Sequence, residues 1–102
     1  MRIIKRTTLH AYGQEHPDAR TALERWAQIA RSAAWRNLAE ARRIFPQADQ
    51  VKVKSGGVVT IFNLKGNHYR LITAIHYNRA IIYILRFYTH TDYDQTNWKE
   101  ML

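Results

Sequence analysis

The sequence contains no cysteine, which excludes disulfide bonds and thiolate–zinc sites. Glycine and proline are scarce, at 4 and 2 of 102 residues, and 46% of the residues are hydrophobic, which argues against a disordered or fibrous chain. The longest apolar runs are interrupted well short of the roughly 20 residues that a membrane span needs. The N-terminus lacks the apolar segment of a signal peptide, so we expect a cytoplasmic protein with no membrane partner. We expect residues 1–102 to form a single domain with one modest core.

Acidic residues are also scarce, with 8 Asp and Glu against 16 Lys and Arg, and the formal net charge is +8. Nine basic and four acidic residues lie in 1–45, and seven and four lie in 46–102, so the charge predicts a basic surface and not a basic tail. Such a charge is typical of a protein with a polyanionic partner. Nucleic acid is the first candidate, an acidic protein the second and an anionic membrane a distant third. Alternatively, the positive charge serves only the solubility of the protein, and no partner is needed to explain it.

The chain up to Pro46 has the residue spacing of helices, after a short opening strand at residues 2–6. Thr7 or Thr8 offers an N-terminal cap for a first helix, which carries Leu9 and Tyr12 on one side. Gly13 and the His16-Pro17-Asp18 junction are expected to end this helix.

A second and a third helix are predicted before the stop at Pro46. Pro17 suits the first position of the second helix, and Asn37 with Glu40 forms a capping box for the third. The apolar positions at helical spacing are Ala19, Ala22, Leu23, Trp26, Ala27, Ala30, Ala33 and Ala34 in the second helix and Leu38, Ala41 and Phe45 in the third. We expect Trp26 and Trp35 to pack in the core.

After Pro46 the pattern changes to strands rich in Val, Ile, Tyr and Phe. The predicted strands are Gln50–Lys54, Val58–Leu64, Tyr69–Tyr77 and Ile81–Thr89, joined by Ser55-Gly56-Gly57, Gly66-Asn67 and Asn78-Arg79-Ala80. Asp92–Leu102 is interpreted as a short closing helix. Four strands with tight turns predict an antiparallel meander, and the preceding helices must pack on one of its faces, so the fold class is α+β.

Counting residues across the turns places polar side chains on one face of this meander. With Gly66-Asn67 as a two-residue turn, Lys65 pairs with His68 and Asn63 stands opposite Arg70. With Asn78–Ala80 as the next loop, the further pairs are Tyr77–Ile81, Ile72–Arg86 and Arg70–Tyr88. Because side chains alternate along a strand, the residues expected on one face are Asn63, Arg70, Arg86 and Tyr88, with Lys65 and His90 at its ends.

Such a cationic strip suits a phosphodiester. Arginine presents a planar fork to phosphate oxygens, histidine moves protons near neutral pH, and tyrosine stacks on a base. Five histidines without cysteine, His-x-His or His-Glu-x-x-His argue against a metal site, and no nucleotide-binding or serine-hydrolase motif is present. His10, His16 and His76 are interpreted as surface or packing residues.

The segment 59–72, VTIFNLKGNHYRLI, resembles the VFNIKGNKYRLI stretch of HigB-type toxins in the RelE superfamily. Further resemblance lies in Arg2-Ile3-Ile4, His16-Pro17-Asp18-Ala19, Ala74-Ile75-His76-Tyr77 and Thr89-His90-Thr91-Asp92-Tyr93-Asp94. It runs nearly end to end, and its most specific motifs are Asn-x-Lys-Gly-Asn-x-Tyr-Arg and Thr-His-x-x-Tyr-Asp. The resemblance implies a RelE-like fold of helices on an antiparallel sheet. It also implies an mRNA interferase, a toxin that cleaves messenger RNA, typically at the ribosome, and that a HigA-like helix-turn-helix antitoxin silences.

The resemblance also implies site residues. The catalytic set is His90, Arg70, Arg86 and Tyr93, the RNA-binding set is Lys65, Asn63, Asn67 and His68, and no metal or cofactor is expected. The expected reaction is attack of the 2′-hydroxyl on the adjacent phosphate, which leaves a cyclic phosphate and a free 5′-hydroxyl. His90 would transfer the proton, Arg70 and Arg86 would clamp the phosphate, Lys65 would orient it, and Tyr93 would position a base.

Two alternatives to the endoribonuclease stay open. One is a non-catalytic RNA- or ribosome-binding module, which would show salt-dependent RNA binding without cleavage. The other is a basic subunit that binds an acidic protein, which would show no affinity for RNA. A neighbouring reading frame for a small helix-turn-helix protein would favour the toxin.

Overall fold

The computed structural model describes all 102 residues and consists of a five-stranded sheet and five helices. The strands are β1 (Arg2–Ile4), β2 (Asp49–Lys52), β3 (Val58–Leu64), β4 (Tyr69–His76) and β5 (Ile81–Thr89). The helices are α1 (Arg6–Glu15), α2 (Arg20–Ser32), α3 (Leu38–Arg42), α4 (His90–Gln95) and α5 (Trp98–Met101), with 3-10 turns at Pro17–Ala19 and Tyr77–Arg79. The strand order is β1-β5-β4-β3-β2, in which β2 to β5 are antiparallel and β1 joins β5 in parallel. The predicted α+β class and antiparallel meander are therefore confirmed.

Helix α1 ends at the predicted His16-Pro17-Asp18 junction, but it differs from its prediction at the cap and at Gly13. Lys5 is its cap residue, in the left-handed conformation at φ 69°, so the prediction of a cap at Thr7 or Thr8 is wrong. Gly13 does not end the helix but lies buried inside it, where an added Cβ would stand 3.4 Å from Cγ of Arg20. A side chain at this position would therefore make an ordinary van der Waals contact with the start of α2.

The second and third helices follow their predictions more closely. Trp26 and Trp35 are buried in the core, as expected, but α2 ends at Ser32, before the last two predicted alanines. The cap of α3 is confirmed, because the Asn37 side chain accepts a hydrogen bond from the Glu40 backbone N–H at 3.0 Å. The reciprocal half of the capping box is shifted by one residue, since the Glu40 carboxylate accepts from the backbone N–H of Arg36.

The strand pairing contains one irregularity. His76, and not Tyr77, pairs with Ile81, so the loop between β4 and β5 is one residue longer than predicted. A β-bulge absorbs the difference, because Thr73 pairs with Ile84 while Ile72 pairs with Arg86. The predicted pairs Asn63–Arg70, Ile72–Arg86 and Arg70–Tyr88 are therefore found.

Helices cover both faces of the sheet. The larger core, under α1 and α2, includes Trp26, Phe62 and Leu71. On the opposite face a smaller core forms around Ile72 and Trp98, with residues from the C-terminal helices packed on it. The predicted closing helix is thus two short helices that cover the second face. All the helices are too short or too polar to span a lipid bilayer.

Candidate functional site

The turn between β3 and β4 forms one side of the candidate site. The backbone N–H of His68 donates to the carbonyl of Lys65 at 3.3 Å, and Gly66 lies at φ 65°, which fits the predicted turn. The Asn63 side-chain amide donates to the side-chain oxygens of Asn67 at 3.2 Å and Gln47 at 3.0 Å. These bonds fix the turn against the end of β3.

Arg70, on β4, is the centre of the site. Its Nη1 donates to the carbonyl oxygens of Asn67 at 2.8 Å and Tyr69 at 3.2 Å. Its Nη2 lies 3.1 Å from Nδ1 of His90, and its Cζ lies 5.6 Å from the ring centroid of Tyr93. The structure therefore brings together three of the four predicted catalytic residues.

His90 is the first residue of α4, and the chain holds it from several sides. Thr89 caps the helix by accepting from the backbone N–H of Asp92 at 3.1 Å. The backbone N–H of His90 donates to the carbonyl of His68 at 2.8 Å, which ties the start of α4 to the β3–β4 turn. On the ring, Nε2 lies 3.4 Å from Oδ2 of Asp94.

The contacts of the His90 ring define its tautomer. A guanidinium group only donates hydrogen bonds, so Nδ1 must accept from Arg70 in this arrangement. The proton of a neutral ring then resides on Nε2, which faces the Asp94 carboxylate. The ring is about half exposed, with 56% of its side-chain surface accessible, so a substrate can reach it.

Tyr93 lies between Arg70 and the smaller core. Its ring lies 5.4 Å from that of Trp98 between centroids, which anchors it to the smaller core. Burial raises the pKa of the Tyr93 hydroxyl, while the positive charge of Arg70 acts in the opposite direction. Tyr93 is therefore a protonated, half-buried ring with one cation over its face.

Lys65 does not join this group, which corrects the expectation that it extends the strip. Its backbone is left-handed, at φ 51°, and its Nζ lies 3.0 Å from Oδ2 of Asp18, in the 3-10 turn before α2. Oδ1 of the same carboxylate accepts from the Tyr69 hydroxyl at 2.7 Å. Hydrogen bonds from Tyr69 and then Lys65 lower the pKa of Asp18, and the bond to Asp18 raises the pKa of Tyr69 to about 12.

Asp18 is a site-supporting residue that sequence reasoning did not identify in this role. It connects the helical layer to the β3–β4 turn, whose carbonyl groups hold Arg70 and His90. In the sequence, Asp18 stands out only as part of the His16-Pro17-Asp18 junction after the first helix. The side-chain contact spans 47 residues of sequence to Lys65, so local patterns could not reveal it.

Arg86 lies on β5, opposite Ile72, and makes no hydrogen bond to Arg70 or His90. Its Nη1 donates to the carbonyl of Leu85 at 2.8 Å. Burial raises the pKa of Tyr12, and the charge of Arg86 partly offsets that effect. Because Arg70 and Ile72 lie two residues apart on β4, Arg86 lies on the same sheet face as Arg70, as predicted.

An open cleft of about 460 Å³ runs between the β3–β4 turn and the start of α4. It is lined by Asn67, His68, Tyr69, Thr89, His90 and Thr91. No group of three or more His, Asp or Glu side chains is placed to hold a metal ion. The cleft offers two imidazoles, an amide and the adjacent Arg70, which suit an anionic, hydrogen-bonding ligand.

Comparison with known protein families finds a match that covers both sides of this cleft. Residues 19–96 match the family model HigB_toxin, described as the RelE-like toxic component of a toxin–antitoxin system. No curated protein matches the chain. The matched residues include β2 to β5 and α4, and therefore the whole Arg70–His90–Tyr93 group. The chain belongs to the HigB toxin family, as a RelE-like toxic component of a toxin–antitoxin system.

Proposed function

We propose that this toxin is an endoribonuclease that cleaves messenger RNA on the ribosome, through the group formed by Arg70, His90 and Tyr93. The observation that carries the proposal is the 3.1 Å approach of the Arg70 guanidinium to the His90 imidazole at the edge of an open cleft. Cleavage of RNA through its own 2′-hydroxyl needs a group that accepts a proton and a cation that stabilises the phosphorane. His90 and Arg70 supply these two functions side by side.

In the first step Arg70 binds the scissile phosphate. Its planar fork suits two phosphate oxygens, and a dianionic phosphorane binds it more strongly than the ground-state monoanion does. Engagement of the phosphate draws Nη2 away from His90, so Nδ1 becomes free to accept a proton. Tyr93, beneath the guanidinium, limits the positions that Arg70 can occupy.

In the second step His90 accepts the proton of the 2′-hydroxyl, whose oxygen forms a new bond to phosphorus. The carboxylate of Asp94, 3.4 Å from Nε2, stabilises the resulting imidazolium. The bond from phosphorus to the 5′-oxygen breaks, and that oxygen takes a proton from solvent in the open cleft. The products are a 2′,3′-cyclic phosphate and a free 5′-hydroxyl.

The remaining predicted residues have binding functions in this proposal. Asn67 and His68 line the cleft and contact the RNA backbone, while Asn63 holds Asn67 in place. Lys65, engaged with Asp18, contributes positive charge at the margin. Arg86, on the same sheet face as Arg70, adds a second positive charge for binding phosphate. The net charge of +8 promotes association with ribosomal and messenger RNA.

One observation favours a second candidate, a non-catalytic RNA- or ribosome-binding module. Both ring nitrogens of His90 already face a side chain, Nδ1 that of Arg70 and Nε2 that of Asp94. A ring that kept both partners would have no free nitrogen to accept a proton. Such a protein would bind RNA through the same cleft without cleaving it.

Induced expression of the toxin tests the two candidates, with messenger RNA 5′ ends followed by primer extension. We expect new 5′ ends to appear with the parental protein and to disappear with His90→Ala. His76→Ala is the matched control, because His76 is an exposed histidine at the other end of β4, and it should cleave like the parent. Translational arrest without new 5′ ends would establish the non-catalytic candidate.

The partner that neutralises this toxin is expected to be a cytoplasmic, HigA-like helix-turn-helix antitoxin.

A further inference from the structure

The hairpin of α1 and α2 carries a groove that is separate from the His90 cleft. Its volume is about 200 Å³, and it shares no lining residue with that cleft. The lining is Arg6, Leu9, His10 and Gly13 on α1 and Arg20, Leu23, Glu24, Ala27 and Arg31 on α2. From Arg6 to Gly13 the groove follows α1 for roughly 10 Å, or two turns.

The floor of the groove is apolar and its rim is basic. Leu9 and Leu23 are buried and Ala27 is half-buried, so together they form the floor. Three arginines against one glutamate give the rim an excess of positive charge. None of the ion pairs of the molecule involves any of these three arginines.

One of the rim arginines lies at a helix N-terminus. Arg6 is the first residue of α1, whose first turn has no acidic residue, whereas Arg20 follows the 3-10 turn Pro17–Ala19, which contains Asp18. Positive charge at a helix N-terminus opposes the helix dipole. The dipole of α1 therefore does not stabilise the charge of Arg6, and a negative group outside the chain would do so.

We infer that the groove binds an acidic amphipathic helix of the antitoxin, whose apolar side chains contact Leu9, Leu23 and Ala27 while its carboxylates pair with Arg6, Arg20 and Arg31. RNA phosphates would pair with the arginines but would make no apolar contact with the floor, whereas an amphipathic helix makes both kinds of contact. This inference depends on family membership, which implies an antitoxin, and is independent of the proposed RNA cleavage.

Calorimetric titration with the antitoxin encoded beside the toxin gene tests the inference. In the double variant Arg20→Glu with Arg31→Glu, the Kd should rise about 100-fold, because attraction at the rim becomes repulsion. The matched control is Arg43→Glu with Arg79→Glu, which reverses two exposed arginines outside the groove and the cleft and should change the Kd less than about 3-fold. The neutral pair Arg20→Gln with Arg31→Gln, expected to weaken binding about 10-fold, covers the case in which the charge reversal does not fold.

A single-stranded RNA 12-mer serves as the second probe. The affinity of this RNA for the groove variant Arg20→Glu with Arg31→Glu and for the control Arg43→Glu with Arg79→Glu should fall equally. Both variants lose the same net charge, and both keep the His90 cleft intact. An unchanged antitoxin Kd in a folded groove variant overturns the inference. A selective loss of RNA affinity in the groove variant also overturns it, and would assign the groove to nucleic acid.

Discussion

Arg70 and His90 lie 20 residues apart in sequence, yet Nη2 of one lies 3.1 Å from Nδ1 of the other. Backbone carbonyl groups of the same turn hold both residues. The carbonyl of Asn67 accepts a hydrogen bond from the Arg70 guanidinium, and the carbonyl of His68 accepts one from the backbone N–H of His90. The β3–β4 turn therefore sets the distance between the cation and the imidazole. The proposed chemistry depends on this distance.

Replacement of Arg70 tests the cationic half of the pair. Arg70→Ala should abolish growth inhibition at equal expression, and Arg70→Lys should restore little, because a point charge cannot form the bidentate fork. The melting temperature should stay close to that of the parent, since the Arg70 side chain is only half-buried. Arg79→Ala, at an exposed arginine in the loop before β5, should remain fully toxic. Full toxicity of Arg70→Ala would show that the site is misassigned.

The Asp18–Tyr69 bond should make stability depend on pH at both extremes. The folded pKa of Asp18 is lowered, so its stabilisation is present above the ordinary Asp pKa of about 3.9 and is lost as the pH falls through the lowered value. The folded pKa of Tyr69 is raised to about 12, so its stabilisation is present below about 10 and is lost as the pH rises toward about 12.

Denaturant unfolding across this pH range measures both effects. Tyr69→Phe should remove the loss of stability at alkaline pH and reduce the loss at acid pH. Asp18→Asn should remove the loss of stability at acid pH and reduce the loss at alkaline pH. In a double-mutant cycle the two substitutions should be non-additive, because they break the same hydrogen bond. Additive effects with unchanged pH profiles would mean that the bond does not form in solution.

Trp98 should contribute more stability than its place near the C-terminus suggests. It is only 2% exposed and packs against the smaller core beneath Tyr93. Trp98→Ala should lower the free energy of unfolding by about 3–5 kcal/mol, measured with urea. Met101→Ala, at a residue that is 60% exposed, should change it by less than about 0.5 kcal/mol. Equal effects of the two substitutions would mean that α5 does not pack on the sheet.

The sequence predicts the sheet well because strand period and turn chemistry are local. The bounds of β3 and β5 are confirmed, and so is the Arg70–Tyr88 register. That register is correct through two deviations that cancel, a loop one residue longer than predicted and an unpaired Leu85 at the bulge. A bulge compensates for loop length without a distinct local signal, so counting from the loop alone could not detect it.

The site was less predictable than the sheet. Period-2 alternation correctly places Arg70 and Tyr88 on one face, but it fails at Lys65, whose left-handed backbone directs the side chain to Asp18. The partners of the site come from distant segments, namely the turn before α2 and the helix after β5. Only tertiary packing brings them to the turn, and no local pattern encodes it.

The rate of RNA cleavage as a function of pH, compared between the parental protein and His90→Gln, tests the central claim most directly. Histidine side chains change protonation between about pH 5 and 8, so the parental rate should change steeply over that range. Glutamine retains hydrogen bonding but cannot transfer the proton, so His90→Gln should be about 100- to 10,000-fold slower and should lose this pH dependence, with RNA affinity little changed. A His90→Gln protein that cleaves at the parental rate with the parental pH profile would contradict the assignment of proton transfer to His90.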